Sequence, residues 1–286
     1  MVNTYAQLLE AAAKRLEKAG VEDPRLNARE LMGKALGISC RSAEFENTLP
    51  AQAAEAAAQE LESLCLRRMS GEPLQYLVGE WEFYGVTLKV GEGVLIPRQD
   101  TETVVETVLK KAPQKDRLTV IDLCSGSGCI AIALEKRLKG CSVTAVEKSP
   151  EAFEYLQQNI ALNGSGVKAL MGDVTRKGLA RKLPKADIIV SNPPYLTDED
   201  MKVLQKEVTF EPQSALFGGE DGLDFYRHII INFKERLKNG GLIAFEIGMG
   251  MEDDVMTMLV RHGFENVRAA KDMCGIFRCV TGFKSE

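Results

Sequence analysis

The sequence has few of the residues that mark metal centres and histidine-dependent catalysis. It contains only two histidines, His228 in a helical stretch and His262 at a helix end, and neither is assigned a catalytic role. None of the seven cysteines forms a CxxC pair, which argues against a structural zinc site. Their odd number and scattered positions indicate a reducing compartment more than a disulfide framework. We therefore expect no metal site.

A long hydrophobic run and an excess of positive charge are also missing. No apolar run approaches the roughly 20 residues that a membrane-spanning helix requires. The N-terminal stretch MVNTYAQLLEAAAKRLEKAG carries acidic residues, unlike a secretory signal or a transit peptide. The net charge of −5 argues against broad capture of nucleic acid, although it leaves a local basic groove open. We expect a cytoplasmic, monomeric protein with no membrane contact and no stable nucleic-acid binding.

Three regions differ in their sequence patterns. Residues 3–70 have the apolar spacing and capping residues of helices, the last of them over 51–69. The pattern changes at Gly71, and EWEFYGVTLKVGEGVLI (80–96) predicts a short hairpin. We predict a helical N-terminal domain over 1–73, a connecting β-hairpin linker over 74–98, and a second domain over 99–286.

From residue 118 onward, strands alternate with helices. The predicted strands are LTVIDLC, CSVTAVE, VKALMG, ADIIVSN and GLIAFEIG, the last of them preceded by a helix over Asp224–Lys238. FENVRAA and IFRCVTGF add two final strands, including an antiparallel edge. Strands alternating with helices at this spacing predict an α/β fold with a doubly wound, mostly parallel, seven-stranded sheet.

The stretch DLCSGSG joins the first of these strands to its helix. Gly126 and Gly128 allow a ligand to approach the backbone closely. The stretch is neither GxGxxG nor a phosphate-binding P-loop, and its leading Asp122 suits an amino-acid ammonium better than a pyrophosphate. A tight strand-to-helix turn without a ligand is the alternative.

Acidic residues end the second and third strands. Glu147 lies about twenty residues past the glycine turn, where a carboxylate accepts hydrogen bonds from ribose hydroxyls. With a glycine turn that does not suit phosphate, this acid indicates S-adenosylmethionine rather than NAD. Asp173 is placed to bond the adenine amine, with Val174 packing on the ring, or else caps a helix; the sequence favours neither.

The fourth strand ends in Ser191-Asn-Pro-Pro-Tyr-Leu196. An amide nitrogen is a poor methyl acceptor because its lone pair is delocalised into the carbonyl. The side-chain oxygen of Asn192 and the carbonyl of Pro193 are candidate acceptors for its two N–H groups. Pro193 and Pro194 fix that carbonyl's direction, and Tyr195 offers a face for stacking. Catalysis by positioning then needs no nucleophile or metal, whereas a rigid turn is the structural alternative.

Asn-Pro-Pro-Tyr after the fourth strand resembles the signature of class I methyltransferases that modify planar nitrogens. Within that class, the chain is similar to the peptide-chain release factor glutamine methyltransferases. The matching stretches cover nearly the whole chain in order: GEPLQYLVGEWEFYG, VLIPRQDTE, DLCSGSG, NPPY, FEPQSALFGGEDGLDFY and EIG. The N-terminal helical domain matches in position and length.

The resemblance implies methyl transfer from S-adenosylmethionine, which leaves S-adenosylhomocysteine, to the glutamine of the Gly-Gly-Gln loop in class I release factors. It implies that Asn192 orients this glutamine and lies near the cofactor, with Pro193, Pro194 and Tyr195 completing recognition. The cofactor would be held by the glycine turn and Glu147, that is by Cys124, Ser125, Gly126, Ser127, Gly128 and Glu147. Arg98 would build a wall near the methionine end or the target peptide, or belong to an ion-pair network.

This chain departs from the family at several positions. Cys124-Ser125 stands where Gly-Thr is usual, and Gln99-Asp100 where Pro-Glu is usual, whereas NPPY is intact. The alternatives are a glutamine methyltransferase of a ribosomal protein, an adenine-N6 DNA methyltransferase and a non-catalytic cofactor-binding module. The N-terminal domain, which the resemblance assigns to substrate recognition, should separate the release factor enzyme from the ribosomal-protein enzyme.

Overall fold

The computed structural model of the protein describes residues 4–38 and 55–285. The chain forms two compact units, one running to Glu80 with Gln205–Phe210 added, the other comprising Trp81–Leu204 and the chain from Glu211 onward. The domain boundaries expected after residues 73 and 98 remain a prediction. Across the described ranges, no helix combines the length and the apolar character needed to span a membrane.

The first unit is built from helices. Thr4 begins the first helix with a capping box, in which its hydroxyl accepts a hydrogen bond from the Gln7 amide at 3.2 Å. Leu16, Leu31 and Leu64 are almost fully buried in this unit. The helix predicted over 51–69 is described from Glu55 onward; residues 51–54 lie outside the described residues. The helices are α1 (Tyr5–Lys18), α2 (Pro24–Leu36), α3 (Glu55–Met69) and α4 (Leu74–Val78).

A segment from much later in the chain completes this unit. The buried guanidinium of Arg68 donates to the Asn27 side-chain oxygen at 2.7 Å and to Glu207 at 2.5 Å. Lys206 lies against Gly71, where an added Cβ would come within 2.7 Å of its side chain. Gln205–Phe210 therefore belongs with the helices, although the flanking residues belong to the second unit.

The second unit contains a hairpin and a seven-stranded sheet, which confirms the fold class predicted from the sequence. Five strands of the sheet pair in parallel, and at one edge a single strand pairs antiparallel with both of its neighbours, the fifth of these strands and the edge strand. The hairpin is β1 (Glu80–Phe83) and β2 (Val86–Lys89); the sheet strands are β3 (Thr119–Leu123), β4 (Ser142–Glu147), β5 (Lys168–Met171), β6 (Ala186–Ser191), β7 (Leu237–Glu246), β8 (Phe264–Lys271) and β9 (Phe277–Lys284). Their order is β5-β4-β3-β6-β7-β9-β8.

Helices cover both faces of this sheet, and consequently all six residues of β6 are buried. The helix predicted over Asp224–Lys238 is wrong at its end. It stops at Phe233, because Leu237 already pairs with Ala186 of β6 and is fully buried. The helices are α5 (Glu102–Lys111), α6 (Cys129–Arg137), α7 (Pro150–Leu162), α8 (Asp198–Lys202), α9 (Asp224–Phe233) and α10 (Glu252–Arg261).

The strand order places the sequence motifs at one edge of the sheet. The chain moves outward from β3 through β4 to β5, then returns to β6 on the other side of β3. In open α/β sheets, ligands bind beyond the carboxyl ends of the strands at such a switch point. Leu123 and Ser191 are register partners, so the glycine turn and the NPPY stretch leave the sheet side by side.

Candidate functional site

A cavity of about 310 Å³ opens at the carboxyl ends of β3, β4, β5 and β6. Of the residues predicted to bind cofactor or substrate, it brings together Cys124, Gly126, Glu147, Asp173, Val174, Asn192 and Pro194. Segments that the sequence motifs left without a role line the remainder: Gly93, Leu95, Val146, Lys148, Ser149, Pro150, Glu151, Ala152, Gly172, Pro212, Ser214, Ala215 and Phe225.

The glycine turn after β3 combines strained backbone with open space. Cys124 has a φ of +59°, a conformation that a residue with a side chain rarely adopts, and burial raises the pKa of its thiol. Gly126 has a φ of +54°, and a Cβ built there meets nothing within 4 Å. Gly128 serves packing instead, since its added Cβ would lie 2.5 Å from Leu156 of α7. The turn thus presents bare backbone to the cavity at Gly126.

Backbone N–H groups hold Glu147 at the end of β4. One carboxylate oxygen accepts from the Gly126 amide at 2.8 Å, and the other accepts from the Lys148 and Ser149 amides at 2.7 and 2.8 Å. A carboxylate has about four acceptor sites, so three are used and one remains on the Gly126 side. This geometry fits a hydroxyl donor such as a ribose, because the carboxylate is oriented beforehand and lines the cavity.

Asp173 makes local contacts of the turn that follows β5. Its Oδ1 accepts from the amide and the hydroxyl of Thr175 at 3.0 and 2.7 Å, while Lys148 lies 3.1 Å from Oδ2. Burial opposes ionisation, but hydrogen bonds from Thr175 and Lys148 outweigh it and lower the pKa of Asp173. It caps a turn rather than a helix, and it still lines the cavity beside the buried Val174. Its adenine role remains a prediction.

A second loop fixes the NPPY stretch. The Leu196 amide donates to the Leu216 carbonyl at 2.8 Å, and the Gly218 amide donates back to Leu196 at 2.8 Å. Glycines allow this close approach: a Cβ at Gly218 would lie 2.6 Å from the Tyr195 Cα, and one at Gly222 2.4 Å from the Tyr195 carbonyl oxygen. The half-buried Asn192 lines the cavity, and its Nδ2 donates to the Thr101 hydroxyl at 3.4 Å.

Several predicted site residues do not line this cavity. Asp122 is fully buried in β3, and burial raises its pKa to about 8. Tyr195 is half-buried, with a pKa raised by burial, and packs in the core beside Gly248. The others are Ser125, Ser127, Gly128, Pro193 and Arg98. Arg98 forms an ion pair with the buried Glu211, which also accepts the Ile96 amide at 2.9 Å.

The residues that the sequence motifs missed come mainly from two stretches. The segment from Lys148 to Ala152 leads from β4 into α7 and lines the cavity, because α7 begins at Pro150, three residues after Glu147. Ser149 caps the helix by accepting the Ala152 amide. Pro212, Ser214 and Ala215 come from FEPQSAL, a stretch that matched the family without residue assignments. Within residues 4–38 and 55–285, no group of three His, Cys, Asp or Glu side chains has a metal-binding arrangement.

Comparison with known proteins identifies both parts of the chain. Residues 7–79 match the family described as PrmC N-terminal domain, and residues 99–220 match the methyltransferase small domain. The release factor glutamine methyltransferase of Geobacter sulfurreducens is 40% identical over 280 residues, which cover 98% of this chain and 96% of that protein. The protein of the same name from Koribacter versatilis is 38% identical, covering 98% of this chain and 99% of its own length.

The chain belongs to the release factor glutamine methyltransferase family. The resemblance stated from the motifs is therefore confirmed. Among solved structures, a methyltransferase from Pyrococcus furiosus matches with a TM-score of 0.54 at 20% identity, covering 71% of this chain and 91% of that one. That likeness supports the methyltransferase fold alone. In this family setting, the cavity beside Asn192 and Glu147 is the candidate active site.

Proposed function

We propose that the protein transfers a methyl group from S-adenosylmethionine to the side-chain amide nitrogen of a glutamine in class I release factors. The observation that carries this proposal is one cavity lined both by the oriented carboxylate of Glu147 and by Asn192 of NPPY. The first suits a ribose and the second suits a planar amide. Family membership supports a release factor glutamine as the substrate. The resemblance of the motifs implies the glutamine of the Gly-Gly-Gln loop.

The cavity residues fit the cofactor. Glu147 has an acceptor site for a ribose hydroxyl, Gly126 faces it with bare backbone, and Val174 supplies an apolar wall for a ring. When bound, S-adenosylmethionine supplies an electrophilic methyl group on a sulfonium. The protein's part is to hold the acceptor nitrogen in line, which is worth a large share of the barrier in reactions of this kind.

As the amide nitrogen bonds to the methyl carbon, the carbon–sulfur bond breaks and leaves S-adenosylhomocysteine. The nitrogen has to lose part of its conjugation and, in the product, one of its two hydrogens, which leaves as a proton to water. We assign the side-chain oxygen of Asn192 and the carbonyl of Pro193 as acceptors for the two N–H groups. When both N–H groups donate to these oxygens, the nitrogen is polarised and the plane of the amide is fixed. Proline at 193 and 194 removes backbone freedom at the point where direction matters. The cytoplasmic location, the monomeric state and the absence of nucleic-acid binding remain predictions.

A labelling experiment tests the proposal. The protein is incubated with radiolabelled S-adenosylmethionine and, separately, a release factor, its Gly-Gly-Ala variant, ribosomal protein and DNA. We expect label only on the intact release factor. Label on DNA, on ribosomal protein alone, or equally on the Gly-Gly-Ala variant would contradict the proposal. Asn192→Ala should lose roughly 10²–10³-fold in rate, the cost of removing one such polar contact, with cofactor affinity nearly unchanged by calorimetry.

A further inference from the structure

A buried carboxyl group lies next to Asn192 but is not part of the cavity lining. Glu246 ends β7 and is 3% exposed, and its Oε2 has no hydrogen-bond partner in the described part of the chain. Thr101, 2% exposed, lies in the short turn before α5. Phe245 of β7 and Ser191 of β6 are register partners, so Glu246 and Asn192 leave the sheet side by side. Thr101 and Asn192 both interact with this carboxyl group and lower its pKa. Neither Glu246 nor Thr101 lines the cavity.

These three groups have complementary hydrogen-bonding capacity. An ionised carboxylate accepts only, whereas a threonine hydroxyl has one proton to donate and lone pairs to accept with. Beside the Glu246 carboxylate, the Thr101 proton is directed to the carboxylate. The hydroxyl then offers Asn192 only its lone pairs, and the contact it makes is with the Nδ2 donor at 3.4 Å.

The orientation of the Asn192 amide follows from this contact. Nitrogen and oxygen occupy opposite ends of the planar amide group, and a flipped amide would put its oxygen against the Thr101 oxygen and the carboxylate. We propose that Glu246, acting through Thr101, is a positioning residue that holds the Asn192 side-chain oxygen toward the substrate amide. This inference rests on the proposed function, because it assigns the oxygen's target to that substrate.

The same arrangement makes the orientation sensitive to protonation. Burial raises the pKa of Glu246 to about 7, against hydrogen bonds from Thr101 and Asn192 that lower it. A protonated Glu246 donates to the Thr101 oxygen, which frees the hydroxyl proton for Asn192 and removes the preference for Nδ2. The ionisable groups that act on Glu246 come from five elements: Asp100 before α5, Cys129 of α6, Tyr195 of NPPY, Tyr226 of α9, and Arg278 and Cys279 of β9.

Steady-state kinetics of four variants test the proposal. Glu246→Gln and Thr101→Val should each lower kcat about 10- to 100-fold, the usual cost of a small misplacement, with cofactor affinity by calorimetry within about threefold. Thr101→Ser, which keeps the hydroxyl, should restore most of kcat. The matched control is Thr107→Val, another buried threonine of the same helical region, which should leave kcat unchanged. The wild type should lose kcat as pH falls below about 7, the Glu246 pKa, and Glu246→Gln should not.

A spectroscopic readout separates this inference from the proposed function. The side-chain amide signals of Asn192, assigned in ¹⁵N-labelled protein without substrate, should titrate with a midpoint near pH 7 in the wild type and not in Glu246→Gln. An Asn192 signal that does not titrate, or a Thr101→Val enzyme with wild-type kcat, would overturn the inference. If instead no release factor is methylated by the wild type, the proposed function fails while the titration still reports on the Glu246–Thr101–Asn192 contact. The wild-type titration needs no variant to fold.

Discussion

At the scale of single residues, Asp122 combines features that rarely coexist. It sits fully buried in the central strand β3, and neither carboxyl oxygen has a hydrogen-bond partner in the described part of the chain. Burial raises its pKa from 3.8 to about 8. A buried charge without a partner is costly, so the group is neutral in the folded protein at neutral pH.

The raised pKa of Asp122 fixes the direction in which the stability of the protein changes with pH. Between pH 3.8 and about 8 the folded state holds a proton that the unfolded chain releases, so this residue's contribution to stability falls as pH rises through that window. Asp122→Asn lacks this slope and should exceed the wild type in unfolding free energy at pH 9, with the difference shrinking toward pH 4. Urea unfolding at several pH values measures it, with the exposed Asp116→Asn as the control.

A parallel difference at all pH values would contradict the raised pKa of Asp122. Calorimetry with S-adenosylmethionine on the same variant addresses the predicted cofactor role. Its side chain does not line the cavity, so the structure favours unchanged affinity. A large loss of affinity would instead support the ammonium contact that the sequence suggests.

At the scale of elements, the NPPY stretch depends on the loop that carries Gly218. A Cβ at Gly218 would lie 2.6 Å from the Tyr195 Cα and 2.7 Å from the Pro194 oxygen, both backbone atoms that cannot swing aside. Gly218→Ala should therefore displace NPPY and lower kcat about 100-fold, as misplacement near 1 Å does in other enzymes. The control is Gly178→Ala, where an added Cβ meets nothing within 4 Å. Equal activity of the two variants would show that NPPY tolerates the shift.

Local patterns predicted most of the second unit at this scale. The strands of the sheet lie within one or two residues of their predicted positions at most ends, because short apolar runs bounded by glycine or helix signals are buried on both faces. The same pattern placed Glu147 and Asn192 at one sheet edge. It failed at Lys234–Lys238, where a 3₁₀ turn over Lys234–Arg236 leads into β7 and pairing of Leu237 with β6 overrides a sequence that continues as a helix. It assigned no role to Glu246 or Thr101, because their partner Asn192 is distant in sequence.

At the scale of the whole molecule, the chain passes from one compact unit to the other more than once. The chain passes between units near residue 80, and again on each side of Gln205–Phe210. This six-residue segment has no hydrophobic periodicity that would predict which unit it joins. Its placement depends on Glu207 with Arg68, a pair separated by 139 positions, which no local pattern predicts.

Glu207 is the charged anchor of that segment. Without the Glu207 carboxylate, Arg68 keeps its contacts with Asn27 and the Glu72 carbonyl. It loses its only ion-pair partner in the described residues. The Glu207 side chain is 48% exposed, so solvent screening limits the loss in Glu207→Gln to about 1 kcal/mol. A loss of about 1 kcal/mol makes the population in which Gln205–Phe210 has detached roughly fivefold larger. Because cleavage by trypsin follows that population when opening is fast, we expect about fivefold faster cleavage at Lys206.

The matched control is Glu220→Gln, because Glu220 is exposed and forms no ion pair in the described residues. This change should leave cleavage at Lys206 unchanged. Mass spectrometry of timed digests distinguishes this site from Lys202, whose pairing with Glu199 is unaffected by either change. Equal cleavage rates at Lys206 in Glu207→Gln and wild type would mean that Lys206 packing on Gly71, rather than the ion pair, holds the segment. In that case Gly71→Ala, which places a Cβ 2.7 Å from the Lys206 side chain, is the change that should release it.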